Sequence, residues 1–215
     1  MRELEVPFIE DITKRSAIEN VSLLLDKCNS YSLEIAPWPV FNYKPSVTFS
    51  LAHSNDSLLI KFKVKEHAIK AEYINTNDPV FKDTCVEFFI ALGEEKEYYN
   101  FEFNCIGTCL SAFGASKENR TFLSEDIINN IKYQVLLKKD NTSAKSIYKW
   151  ELTVMIPLNV FCFHHVISFK GMNCFANFYK CGDSLPEPHF LSWNSITSPE
   201  PNFHLRDFFG KVNFI

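Results

Sequence analysis

Two segments, CVEFFIA at 85–91 and YYNFEFN at 98–104, restrict this chain more than any other feature it has. Both alternate with period two, the period of a strand whose successive side chains leave opposite faces. The polar stretch between them, around Gly93, Glu94, Glu95 and Lys96, suits a hairpin loop. Setting Val86, Phe88 and Ile90 opposite Phe103, Phe101 and Tyr99 gathers six large apolar side chains on one face, and a slip of one residue would expose them all. The other face then carries Cys85, Glu87 and Phe89 across from Asn104, Glu102 and Asn100. Glu87 opposite Glu102 is a like-charge pair, destabilising in a sheet unless a cation, a proton or a ligand relieves it. Lys61 and Lys63, expected on a neighbouring strand, are candidate counter-ions.

The same period recurs along the chain. Residues 47–51 alternate, Asn55 and Asp56 mark a turn, and Leu58, Ile60, Phe62 and Val64 interleave with Leu59, Lys61, Lys63 and Lys65, which predicts a second hairpin. A turn is expected over 105–108, a short helix or loop over 124–131, and a strand over 148–156 that Pro157 ends for want of an N–H. Further strands are expected near 174–179, 190–193 and 210–214. Near the start, Ser16 to Glu19 has the capping-box form, and Ile18, Val21, Leu24 and Leu25 share one helical face, so 16–27 reads as a helix. Pro37, Pro39 and Pro45 disfavour both helix and central strand, which places that stretch over the surface. About ten strands without a βαβ rhythm make an all-β fold, an antiparallel β-sandwich of two sheets with a short N-terminal helix. The expected division is an N-terminal extension with the helix, 1–34, and the sandwich, 35–215.

A chain of 215 residues is within the size of one all-β unit, and 21 Phe in a 46% hydrophobic composition supply its core. A net charge of -4 without any basic block argues against nucleic acid or an anionic membrane as partner. No run approaches the ~18 apolar residues of a membrane span. The start also lacks the basic and apolar regions of a secretory signal, so a cytoplasmic protein is expected if that start is native. The seven cysteines are odd in number, so at least one is free, and most are expected to be buried small hydrophobes in a reducing compartment. Cys105 and Cys109 form a C-x3-C with no second pair at zinc spacing, so no metal and no cofactor are assigned.

No dinucleotide, P-loop, nucleophile-elbow or zinc-protease signature is present. Glu87 and Glu102 admit three readings: a glycosidase carboxylate pair, a lysine-paired sheet face, or hydrogen-bonding groups for a ligand. His164 and His165 point to opposite faces if extended and read as loop or packing residues, whereas His189 and His204, in a proline-rich aromatic stretch, are candidates for polar contact. Trp38, Phe81, Tyr179 and Trp193 lie in or beside expected loops and strand ends, where rings can stack on the C–H faces of a sugar.

The run NDPVFKDTCVEFF at 77–89, followed by YYNFEFNCIGT at 98–108, resembles the D-x-x-V-E-x-F strand and the next strand of family 9 carbohydrate-binding modules. WELTVMIP at 150–157 resembles the W-x-x-x-x-x-I-P strand of the same group. The segments NFYKCGD at 177–183, PHFLSW at 188–193 and FGKVNF at 209–214 resemble its Bacteroidetes variant, so that the likeness runs from about residue 35 to the end. The resemblance implies a two-sheet sandwich related to DOMON domains, whose sugar slot is closed by two aromatic rings over a polar floor. Carried over by position, Phe81 takes the place of a stacking Trp and Trp193 that of the second ring. Glu87, Glu102, Asn104, Asn177 and Lys180 then make the floor, with Tyr179 and His189 beside it. Family members also hold structural calcium, for which no loop here has the D-x-D-x-D density.

The expected function is therefore non-catalytic binding of a mono- or oligosaccharide. The alternatives are an assembly domain that keeps the sandwich but has lost the slot, and, through the DOMON relation, haem held by a Met and a His, for which Met1, Met155 and Met172 are the available methionines.

Overall fold

The structure, a computed structural model, describes residues 1–140 and 146–215. Its strands form two sheets. The larger runs in the order β1 (Glu3–Val6), β13 (Gly210–Phe214), β11 (Asn173–Cys181), β5 (Cys85–Ala91), β6 (Tyr98–Asn104), β7 (Cys109–Gly114) and β8 (Arg120–Phe122), with β12 (Phe190–Ser192) paired to the end of β11. The smaller runs β2 (Tyr31–Ser32), β3 (Ser46–His53), β4 (Ser57–Glu66), β10 (Ile147–Pro157) and β9 (Lys132–Asp140). The named pairs are antiparallel except β1 with β13, which run parallel at the sheet edge.

The register of β5 on β6 is the one the alternation demands, with Val86 on Phe103, Phe88 on Phe101, Ile90 on Tyr99 and Glu87 on Glu102. All six apolar members are buried between the sheets, where Leu58, Ile60, Phe62 and Val64 of β4 and Trp150 and Leu152 of β10 meet them. Phe49 and Phe178 stack across this core with ring centroids 3.7 Å apart. Each such side chain removed from water contributes about 1.5–3 kcal/mol.

The outer faces are covered too. On the smaller sheet, α1 (Ile18–Leu25) lays Val21 and Leu25 against Leu59 and Met155. The expected capping box does not form: Ala17 is the N-cap, and the Ser16 hydroxyl accepts from the Thr13 N–H instead. Lys61 and Lys63 stand on this outer face, paired to Asp26 at 2.7 and 2.8 Å, with Lys61 also 2.9 Å from Glu151, so both serve the smaller sheet and not the glutamate pair. A second short helix, α2 (Glu125–Ile128), occupies the expected 124–131 stretch. Residues 1–34 contribute to both layers, since β1 joins one sheet, β2 the other and α1 lies between them in sequence.

On the larger sheet, the outward residues Cys85, Phe89, Tyr98, Leu110 and Tyr179 are buried under a layer built from Trp38, Val80, Ile196, Phe203 and Phe209. The proline-punctuated stretch thus lies over the sandwich, held by the Trp38 indole N–H donating to the Ser198 carbonyl at 2.9 Å.

Candidate functional site

Tyr179, Glu87, Glu102 and Leu110 stand side by side on β11, β5, β6 and β7, one residue from each strand in direct register. The aromatic layer over this outer face leaves a gap above the two glutamates. The gap is an open cavity of about 160 Å³ with Glu87, Glu102, Leu110 and Cys181 at its floor. Its walls are Phe81 and Asp183 on one side, Lys117, Arg120 and Phe122 from the β7–β8 hairpin, and Phe190, Pro201, Asn202, Phe203 and His204 from the C-terminal part of the chain.

Several local interactions shape these walls. The Phe203 ring stacks on Tyr179 at 4.1 Å, and the Tyr179 hydroxyl donates to the Phe203 carbonyl. The Asn177 amide donates to the Asn194 and Phe208 carbonyls and its Oδ1 accepts from the Asn194 N–H, which ties the 194–208 stretch to β11. Arg120 donates to His204 Nδ1 at 3.0 Å, so that nitrogen is the bare one and the ring is neutral with its proton on Nε2. Burial, helped by Arg120, pushes the His204 pKa down to about 2, in keeping with that neutral ring.

The floor is electrostatically unbalanced. Glu87 accepts from the Cys181 thiol at 3.0 Å, and one Glu102 oxygen accepts from the Asn100 amide at 2.9 Å. The other, Oε2, is buried with no hydrogen-bond partner. Among the described residues neither glutamate has an ion pair. Desolvation raises both carboxyls above the usual range; Glu102 adds repulsion at Glu87, and Arg120 partly offsets the shift at Glu102. Asp183 on the wall is likewise pushed up to about 6 by burial.

Of the nine residues expected at the site, Phe81, Glu87 and Glu102 line this cavity. Tyr179 lies behind Phe203 and Asn177 anchors the wall. Asn104 spends its side chain on the 105–108 turn, accepting from the Ile106 and Thr108 N–H groups and donating to Asp83 and the Tyr73 carbonyl. Lys180 and His189 lie on the inner face, fully buried, where the Lys180 ammonium meets His189 Nε2 at 2.8 Å and Glu66 at 3.2 Å. Trp193 is in the inter-sheet core against Phe49 and Phe178, its ring seated where a Cβ on Gly210 would come within 2.4 Å. These three do not line the cavity; side-chain direction alternates along β11, so Lys180 cannot share a face with Asn177 and Tyr179. Lys117, Arg120, Phe122, Asp183, Phe190, Asn202 and Phe203 were not anticipated. For Phe190, Asn202 and Phe203 the aromatic, proline-rich C-terminal stretch was the one visible signal.

The profile of carbohydrate-binding family 9 matches residues 18–214. The chain belongs to that family. A candidate carbohydrate-binding protein from Bacteroides uniformis ATCC 8492 is 35% identical to this family 9 chain, with a TM-score of 0.91 over 100% of this chain and 99% of the other. Two structures of a family 9 module from Caldicellulosiruptor kristjanssonii, in complex with glucose and with cellotriose, share the fold at 10% and 11% identity. Their TM-scores are 0.55 and 0.57, covering 100% and 99% of this chain and 96% and 93% of the others. No curated protein matches the sequence. Among the described residues no helix is long and apolar enough to cross a membrane.

Proposed function

We propose that the family 9 chain binds one terminal sugar unit in the cavity over Glu87 and Glu102, with Phe81, Phe122, Phe190 and Phe203 as its aromatic rim. The observation that carries this reading is Glu102 Oε2, a buried carboxylate oxygen without a partner that belongs to a residue of the cavity floor. Leaving such a group unpaired costs about 1–3 kcal/mol, and a sugar hydroxyl donating to it would remove that cost. Rings around polar acceptors are what a sugar needs, since its C–H faces are apolar and its hydroxyls are not. The complexes of the C. kristjanssonii module with glucose and cellotriose support the choice of those two sugars as probes.

Binding proceeds without turnover on this reading. Glycoside hydrolysis needs two carboxyls flanking the scissile bond, one on each side. Glu87 and Glu102 are adjacent on one sheet floor, so both face a bound sugar from the same side.

Calorimetry with glucose, cellotriose and a wider sugar panel tests the proposal. Saturable binding is expected, weakened roughly fivefold by Phe122→Ala through the loss of about 1 kcal/mol of stacking, and weakened further by Glu102→Gln. Phe122 is 55% exposed, so its removal leaves the core intact. A wild-type chain that binds no sugar in the panel sinks the proposal and favours the assembly-domain reading. Glu87-dependent hydrolysis of an aryl glycoside would overturn the non-catalytic part.

A further inference from the structure

Beneath the cavity, Cys85 on β5 and Cys181 on β11 are direct cross-strand partners, and Glu87 follows Cys85 by two positions on the same face. One donor atom from each lies within 4.8 Å of the other two, and all three side chains are buried. Among the described residues this is the one cluster of three such donors. We propose that Cys85, Cys181 and Glu87 bind a thiophilic divalent cation of the zinc type, with the remaining coordination position open to the cavity.

The donor set decides the class of ion. Two sulfurs and one carboxylate suit zinc, cobalt or cadmium, whereas calcium and magnesium take oxygen donors. A tetrahedral ion about 2.3 Å from sulfur and about 2.0 Å from oxygen needs donors roughly 3.5 Å apart. The Cys181 Sγ to Glu87 Oε1 contact is 3.0 Å, so a small opening seats the ion where the thiol proton now lies. Cys181 and Glu87 line the cavity and Cys85 is buried beside them on the same face of the sheet, so an ion held by the three meets the cavity on its remaining side. An ion there would also supply the positive charge that Glu87 lacks, since none of the described ion pairs includes it.

Uptake is a proton exchange without redox change. Each thiol S–H breaks, its proton leaves to solvent, and the two thiolates and the Glu87 carboxylate bond the cation. Because the ligating thiols must lose their protons, uptake is expected to strengthen as pH rises. The Cys105 and Cys109 pair singled out by its spacing is not part of this cluster: the Cys105 thiol donates to the Lys70 carbonyl.

Titration of the full chain with cobalt(II), followed by absorbance, tests the proposal. One equivalent is expected to give a sulfur-to-cobalt charge-transfer band that zinc abolishes, that persists in Cys105→Ser/Cys109→Ser, and that is lost in Cys85→Ser/Cys181→Ser. Because those two sites are fully buried and the variant can fail to fold, X-ray absorption of the zinc-loaded wild type gives a second readout, with two sulfur neighbours expected at about 2.3 Å. Absence of the band, its survival without Cys85 and Cys181, or a zinc shell without sulfur overturns the site. Sugar calorimetry in the presence of a chelator separates this from the binding proposal: binding there with no cobalt band removes only the metal site.

Discussion

Lys180 and Cys181 are neighbours on β11, yet they serve two charged clusters on opposite faces of one sheet. The clusters share a device: a cation donates to a histidine that burial keeps neutral, Lys180 to His189 on the inside and Arg120 to His204 on the outside. Burial and the adjacent cation push His189 down to about 3 and His204 to about 2. They differ in how the carboxylates are met. Inside, Glu66 has the Lys180 ammonium at 3.2 Å, a contact of charge more than an aligned hydrogen bond, and its other oxygen takes the Trp150 indole N–H at 2.7 Å. Outside, Glu87 and Glu102 face each other and one oxygen is left over. The inner cluster pairs its carboxylate with a cation and has no space; the outer has two facing carboxylates that none of the ion pairs among the described residues meets, and a cavity. A buried charge that is paired serves the fold, and one left unpaired beside a cavity is a place for a ligand.

The sharpest way to break this comparison is to remove a cation from the closed cluster. Lys180→Met strands Glu66 between the sheets and is expected to cost about 3–5 kcal/mol in urea unfolding; a loss below about 1 kcal/mol would mean the inner pair is as loosely compensated as the outer one. A smaller effect is expected from pH. The folded-state pKa of His204 lies far below its ordinary 6.5, so between those values the unfolded chain binds a proton that the folded chain refuses. Its contribution is therefore complete above about pH 6.5 and is lost as pH falls, by up to about 1.4 kcal/mol per pH unit. The wild-type stability curve should be steeper than that of His204→Gln between pH 6 and 5, the floor carboxylates titrating in both; parallel curves would show that His204 is protonated in the fold. The smallest effect belongs to the open cluster. Glu102→Gln, measured without ligand, is expected to leave stability unchanged or raise it by up to about 1 kcal/mol, because it ends the repulsion with Glu87. A clear loss of stability would instead mark Glu102 as a structural residue and turn the comparison around.

The legible part of the candidate site was what one hairpin carries. Alternation over 85–91 and 98–104, with six rings and aliphatic chains that must share a face, leaves a single register, and that register sets Glu87 against Glu102. The same parity rule applied to β11 would have separated Lys180 from Asn177, three positions away and hence on the opposite face. Trp193 was illegible for another reason. It lies just past β12, and only the seat at Gly210 and the contacts with Phe49 and Phe178 turn it inward. Ser16 shows the same limit locally: the capping-box pattern is present, but the helix starts at Ile18 and the hydroxyl is used on Thr13.

By itself, then, the sequence determined the all-β sandwich, the face of the β5–β6 hairpin that is core, and the opposed glutamates on the other face. These follow from side-chain period and from pairing between strands one short loop apart, which are local. Tertiary structure alone decided that Arg120, Phe122, Asp183 and Phe203 meet above those glutamates, and that Lys180, more than a hundred residues from Glu66, neutralises it between the sheets. Such meetings depend on which loops fold back over which face, a choice made by burial of the whole chain and written in no single segment of it.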